Sequence, residues 1–427
     1  MKRSAFPPVF WIANTIEVLE RFAYYGIYMG FGIYMTHLGY TRAQLGVVQS
    51  IFLLVSYLVP LFSGTFADRY GFKKMLIFAY LAYIPAILLL KSTTSFNGIV
   101  LSMLTIGFAA GVFKPLISGT VRAVSNKDNK TLGFGIFYAM VNVGGTFGPL
   151  VAGHLRAISW DHAFSAAAIS IVVMLLITIF FYKEPPRAIE GETLGKKFKD
   201  MGIALSDGKF VLFLVMIGLM FWLPLWSFYN VVADYIDKYI DTASLYQSLK
   251  NTFGGGFAGL VSHEEKGTWR VIGETIASPA YFIIIFQLLV SWASGKLKAL
   301  PAIIVGLAIA STGFFCFAQS YFGLPALVFL GVFLYGIGEM ATAPRIQEYI
   351  TWIAPKEKAG LYMGTYFLSS CIGGFLSGFT YTSLYGYYEK MHHPEYIWYT
   401  LSVHFLVGIV CIFLFSKFLG EFKEQEA

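Results

Sequence analysis

The sequence predicts an all-α membrane protein of twelve spanning helices arranged as two six-helix bundles, and three observations carry that prediction. Charged residues make up 13% of the 427-residue chain and hydrophobic residues 57%, against about 25% charged in ordinary soluble domains. Apolar runs of about 18 residues or more, each long enough to cross a bilayer, recur along most of the length. The second half also echoes the first. At a gapless offset of 336 − 107 = 229 residues, Gly107 meets Gly336, Pro115 meets Pro344, Gly135 meets Gly364, Gly144 meets Gly373 and Gly145 meets Gly374. This composition rules out a disordered chain and argues against an ordinary soluble globular protein.

The spans are expected at about 8–36, 43–66, 74–92, 97–122, 132–156, 162–182, 210–236, 279–295, 300–320, 324–352, 360–386 and 396–419. The first continues past residue 35 and carries Glu17, Glu20 and Arg21, so it reads as a retained span and not as a cleaved signal peptide. Basic residues gather in alternate loops: Lys2 and Arg3, Arg69 to Lys74, Arg122 to Lys130, Lys183 to Lys209, Lys296 and Lys298, Lys356 and Lys358, Lys417 and Lys423. By the positive-inside rule both termini face the cytoplasm. The net charge of 31 − 24 = +7 is therefore what topology requires, and no nucleic-acid partner is implied. The polar stretch 183–209, with Pro185 and Pro186, reads as a cytoplasmic linker between an N-terminal bundle, 1–182, and a C-terminal bundle, 210–427. Residues 237–278 read as a long, irregular, Gly-rich outer loop. Cys316, Cys371 and Cys411 lie far apart in apolar stretches, so neither a disulfide framework nor a metal site is expected.

Charges inside spans mark function, because each costs about 2.5–3.5 kcal/mol at a helix centre. Glu17, Glu20 and Arg21 share one face of the first span, at i, i+3 and i+4. Counting ~1.5 Å per residue, Glu17 lies about 13 Å and Arg21 about 20 Å from the cytoplasmic end, while Lys114 and Glu339 lie roughly 25 Å along inward-running spans four and ten. The five charges thus share one layer. A carboxylate there, desolvated yet beside a cation, can gain or lose a proton as its partner moves, which is what proton-driven transport needs. Aromatic and amide side chains are interleaved at this depth: Tyr24, Tyr25, Tyr28, Tyr57, Tyr138, Asn142, Trp226 and Asn230. The seven histidines are scattered and complete no catalytic constellation, so enzyme activity is not expected.

After the second span, Gly64, Asp68, Arg69, Gly71 and Lys74 are spaced as G-x-x-x-D-R-x-G-x-x-K. This spacing resembles the signature of major facilitator carriers, whose acid and arginine hold an inner gate shut. More specifically, Glu17 to Gly26 reads E-V-L-E-R-F-A-Y-Y-G and resembles the E-x-x-E-R-F-x-Y-Y-G stretch of the proton-dependent oligopeptide transporters. Phe113 to Ser118, Ile136 to Gly144, Pro279 to Phe286, and Gly338 through Gly364 are similar to further motifs of that family, in order along nearly the whole chain.

The resemblance implies a proton symporter of short peptides working by alternating access. Glu17, Glu20, Arg21 and Lys114 would couple the proton, Glu339 would meet the peptide's amino terminus, and Tyr24, Tyr25, Tyr57, Tyr138 and Asn142 would line the pocket. Independently of the resemblance, an ammonium at this depth has no water to stabilise it, so Lys114 is expected to pair with Glu17 or Glu20, at its own level, when no solute is bound. The sequence departs from the family where Tyr28 replaces an arginine, Asn230 an acid four residues after Trp226, and Tyr366 a tryptophan, and the extra helix pair of many bacterial members is missing. Tyr28, Trp226, Asn230 and Tyr366 are nonetheless expected at the pocket. No cofactor is expected beyond the proton as coupling ion. The expected setting is a monomer in a bacterial plasma membrane, importing a di- or tripeptide-like zwitterion. The competing reading is a carrier of another small organic solute: a drug exporter, or a nucleoside or sugar carrier.

Overall fold

A computed structural model describes residues 6–126, 129–185, 201–203, 205–353 and 359–420 and the single positions 195, 199 and 422, with backbone alone at 68, 130–131, 351–353 and 359–364. Most of the expected linker therefore lies outside the described residues.

The chain is helical nearly throughout. In order come α1 (Pro8–His37), α2 (Arg42–Leu58), α3 (Pro60–Tyr70), α4 (Phe72–Ser92), α5 (Phe96–Ala123), α6 (Lys130–Ile158) and α7 (Trp160–Phe180). Then follow α8 (Gly208–Ile217), a π-turn (Gly218–Trp222), α9 (Leu223–Tyr239), α10 (Thr242–Phe253), α11 (Gly255–Leu260), strands β1 (Ser262–Glu265) and β2 (Thr268–Val271), and α12 (Gly273–Ala277). The last are α13 (Ala280–Ser294), α14 (Ala299–Ser320), α15 (Leu327–Ile353), α16 (Ala359–Ser377), a second π-turn (Gly378–Thr382), α17 (Ser383–Lys390) and α18 (Tyr396–Leu419). Among the described residues ten helices are long and apolar enough to span a membrane by length and composition. The other two spans are α1, with its three charges, and α16 continued through the π-turn into α17.

The starts of several helices are written in the sequence. Ser95, Ser159, Asp207 and Asp241 each accept a hydrogen bond from a first-turn amide of α5, α7, α8 and α10, filling positions where orphan N–H groups need an oxygen.

The chain divides into two compact units: Met1–Tyr34 with Ile51–Leu194, and Met35–Ser50 with Gly195–Ala427. Each unit repeats the same crossings. In the first, a β-carbon at Gly107 would collide with Phe52 of α2, and one at Gly144 with the Val18 carbonyl and Arg21 Cβ of α1. In the second, Gly336 lies against Pro279 and Phe282 of the eighth span, and Gly373 against Gly218 and Trp222 of the seventh. Small residues at these four places let backbones approach closely, as membrane helix pairs require. The glycines aligned by the offset of 229 thus fill corresponding joints.

The second span, expected over 43–66, is one apolar span, Arg42–Ala67, with an irregular turn at Val59 where Pro60, which has no N–H, opens α3. Two expectations need correction. The gate signature, expected in a loop, has Gly64, Asp68 and Arg69 inside α3 and Lys74 inside α4; only Gly71, at φ 101°, makes the corner. The stretch 237–278, read as irregular, is folded. Helix α10 buries Thr242, Leu245, Tyr246 and Leu249, a helical i, i+3, i+4, i+7 face. The hairpin turns at Lys266-Gly267 and stacks Trp269 on Tyr246 at 5.4 Å.

Candidate functional site

In the first unit α1 presents its charged face to the interior. The Arg21 guanidinium reaches both acids, with Nε 2.9 Å from Glu17 Oε1 and Nη2 2.7 Å from Glu20 Oε2, and all three side chains are buried. Tyr83 of α4 donates to the other Glu20 oxygen at 3.2 Å. One planar fork with several donors can hold two carboxylates, which a compact ammonium cannot do as well.

Lys114 is consequently elsewhere. Its ammonium donates to Ser56 Oγ at 2.7 Å and to the Ser56 carbonyl at 3.3 Å. It lies over the rings of Tyr57 at 3.9 Å and Tyr24 at 5.3 Å from their centroids. The expected pairing of Lys114 with Glu17 or Glu20 is therefore not what the structure holds: Arg21 occupies both acids, and Lys114 rests in a tyrosine corner closed by a serine. Tyr28, which stands where the resemblance expects an arginine, is buried in a stack with Tyr24 and Phe52, and Tyr25 packs edge-on against Tyr24 at 5.2 Å. Asn142 donates to the Tyr138 carbonyl of its own helix at 2.9 Å, and the Tyr138 ring is exposed.

The second unit assembles a different set. Trp226 and Asn230 on α9 donate to Ser370 Oγ at 3.4 Å and Ser377 Oγ at 3.0 Å on α16. Tyr366 meets Trp222 edge-on at 5.5 Å. Glu339 on α15 accepts from the Tyr229 hydroxyl at 3.3 Å, and among the described residues no basic side chain lies within salt-bridge distance of it.

The sequence reading missed the largest ion cluster of this unit. Arg42, at the start of α2, pairs with Asp234 on α9 and, through Nε at 2.7 Å and Nη2 at 2.8 Å, with both oxygens of Glu389 on α17. Its guanidinium covers the Tyr385 ring at 4.7 Å, and the Tyr385 hydroxyl donates to Asp234 at 3.2 Å. Tyr239 and Lys238 also reach Glu389, at 2.8 and 3.4 Å. The signal in the sequence was an arginine on the side where the positive-inside rule does not ask for one, with an acid one turn beyond Asn230.

At the gate signature, the Phe72 and Lys73 amides that open α4 donate to the two oxygens of Glu184 at 2.7 and 2.9 Å, a carboxylate at the positive end of a helix. Arg69 is exposed and lies over Tyr70 at 5.4 Å. The Asp68 side chain lies outside the described residues.

A family model described as Major Facilitator Superfamily matches residues 14–378. The chain belongs to that superfamily. The chain is accordingly a multi-pass membrane protein with the all-α fold of that superfamily. The Quinolone resistance protein NorA of Staphylococcus aureus (strain MSSA476) is 23% identical over 242 residues, 55% of this chain and 62% of its own length. Peptide transporter 3 of Caenorhabditis elegans is 27% identical over 163 residues, 34% of this chain and 23% of its own. The matches thus span under two thirds of those curated relatives. A solved POT family transporter in complex with a thioalcohol-conjugated peptide superposes with a TM-score of 0.72 at 19% identity, covering 96% of both chains. The nucleoside transporter NupG superposes with a TM-score of 0.76 at 13% identity, covering 95% of this chain and 99% of its own. At such identities these two likenesses speak for the fold.

Proposed function

We propose that this carrier is a proton-coupled symporter importing short peptides or peptide-like zwitterionic solutes by alternating access. The observation that carries the reading is the division of labour on the first unit's charged face. Arg21 is committed to Glu17 and Glu20, whereas Lys114 is held by a serine and two ring faces, neutral partners that a solute carboxylate can outcompete. The Glu17–Arg21–Glu20 triad supplies two buried carboxylates sharing one cation, the element a proton-driven carrier needs. In the second unit Glu339, bonded to a neutral tyrosine, suits a solute ammonium.

The motif resemblance to proton-dependent oligopeptide transporters supports the same solute class. The test is uptake into liposomes from a panel of di- and tripeptides, amino acids, nucleosides and sugars, with and without an inward proton gradient. Gradient-dependent accumulation of peptides supports the reading; transport of another class alone rejects it.

A second reading, a carrier of another organic solute, is favoured by Tyr28 and Asn230, which remove one cation and one acid from the expected pocket, and by the similarity to NorA. The same panel, extended with cationic drugs and run for efflux, separates the two.

A further inference from the structure

The seventh span carries a backbone defect that its own helix does not repair. In the π-turn Gly218–Trp222 the Leu223 N–H goes five residues back to Gly218 O and not to Leu219 O. In a continued π-pattern the next donor for Leu219 O would be residue 224, but that is a proline and has no N–H. The Leu219 carbonyl is thus deprived of its backbone donor inside a membrane span, where an unsatisfied backbone group is costly.

His404, about 12 Å into α18 at ~1.5 Å per residue, repairs it: its Nε2 lies 2.9 Å from Leu219 O. A carbonyl can only accept, so Nε2 carries the proton. The other ring nitrogen, Nδ1, meets the hydroxyl of Tyr381, which lies in the second π-turn, Gly378–Thr382. One imidazole therefore joins the irregular turns of the seventh and eleventh spans from the twelfth.

We propose that His404 is a positioning residue. As the Nε2–H tautomer it supplies the hydrogen bond that the π-turn and Pro224 take from Leu219, and through Tyr381 it locks the two π-turns together. It thereby fixes the direction in which Trp222, Trp226 and Tyr229 leave the seventh span toward Tyr366, Ser370 and Glu339. This is independent of which solute is carried.

The test uses the full chain in lipid nanodiscs. Histidine ¹⁵N NMR should show His404 as the Nε2–H tautomer. In His404→Leu, amide hydrogen exchange over 219–226 should quicken about tenfold, the ~1.4 kcal/mol of one modest hydrogen bond, with first-unit peptides unchanged. His404→Gln, whose amide can still donate, should restore most of the protection. So should the double variant Pro224→Ala with His404→Leu, because residue 224 then has an N–H of its own for Leu219. Should His404→Leu not fold, the wild-type tautomer and the double variant decide the matter. An Nδ1–H tautomer, protection in His404→Leu equal to wild type, or a double variant no better than His404→Leu overturns the proposal.

Discussion

The Lys114 ammonium sits 3.9 Å from the centroid of the Tyr57 ring and 2.7 Å from Ser56 Oγ, while both neighbouring acids are taken by Arg21. A cation over a ring face gains about 0.5–2 kcal/mol, enough to park the charge and too little to hold it against a carboxylate. Tyr57→Phe, which keeps a ring face, should bind solute nearly as wild type does. Tyr57→Leu should misplace the ammonium and weaken binding of carboxylate-bearing peptides about tenfold, the effect of ~1.4 kcal/mol, without weakening their C-terminal amides. Equal losses for acid and amide would sink the carboxylate role.

Proton drive should be separable from solute exchange. Glu20→Gln removes one of two carboxylates on Arg21 yet leaves Glu17 to neutralise the guanidinium. Gradient-driven uptake should fall at least tenfold, whereas solute-for-solute counterflow persists. Arg21→Leu should be worse on both counts, since removing the cation of a buried ion set costs about 3–5 kcal/mol. Gradient-driven uptake that survives in Glu20→Gln would remove this residue from the coupling path.

The Arg42 cluster should contribute to stability. Glu389→Gln leaves the buried guanidinium with Asp234 as its remaining carboxylate partner, so the thermal midpoint should fall. A midpoint equal to that of wild type would contradict a stabilising role.

Gly144 should tolerate no β-carbon. Gly144→Ala drives a methyl into the Val18 carbonyl and Arg21 Cβ, an overpacking cost of about 1–3 kcal/mol, and it pushes on the one side chain that holds both acids. The variant should be expressed and bind solute but lose proton-driven accumulation more than stability. Unchanged coupling would show that the crossing serves packing alone.

Much of this was legible beforehand. The span positions, the i, i+3, i+4 face of Glu17, Glu20 and Arg21, and the repeat of glycines follow from hydropathy and spacing, which act along the chain. What escaped depends on groups far apart in sequence. Asp234 and Glu389 meet Arg42 across 192 and 347 positions, and no local pattern announces that. The partner of Lys114 could not be read either. Depth alone made the acids its natural partners, but the planar fork of Arg21 binds two carboxylates at once and leaves nothing for the lysine. The folded outer segment was missed because Gly254-Gly255-Gly256 was read for its composition, whereas the helical spacing of Leu245, Tyr246 and Leu249 just before it carried the structure.

The twin joints at Gly144 and Gly373 show how a duplicated scaffold can diverge in purpose. At matching places one copy meets Arg21 and the other meets Trp222, so one kind of helix-to-helix joint borders a buried ion triad in one half and an aromatic wall in the other. A change at Trp222 therefore need not disturb the triad, and a change beside Arg21 need not disturb the wall.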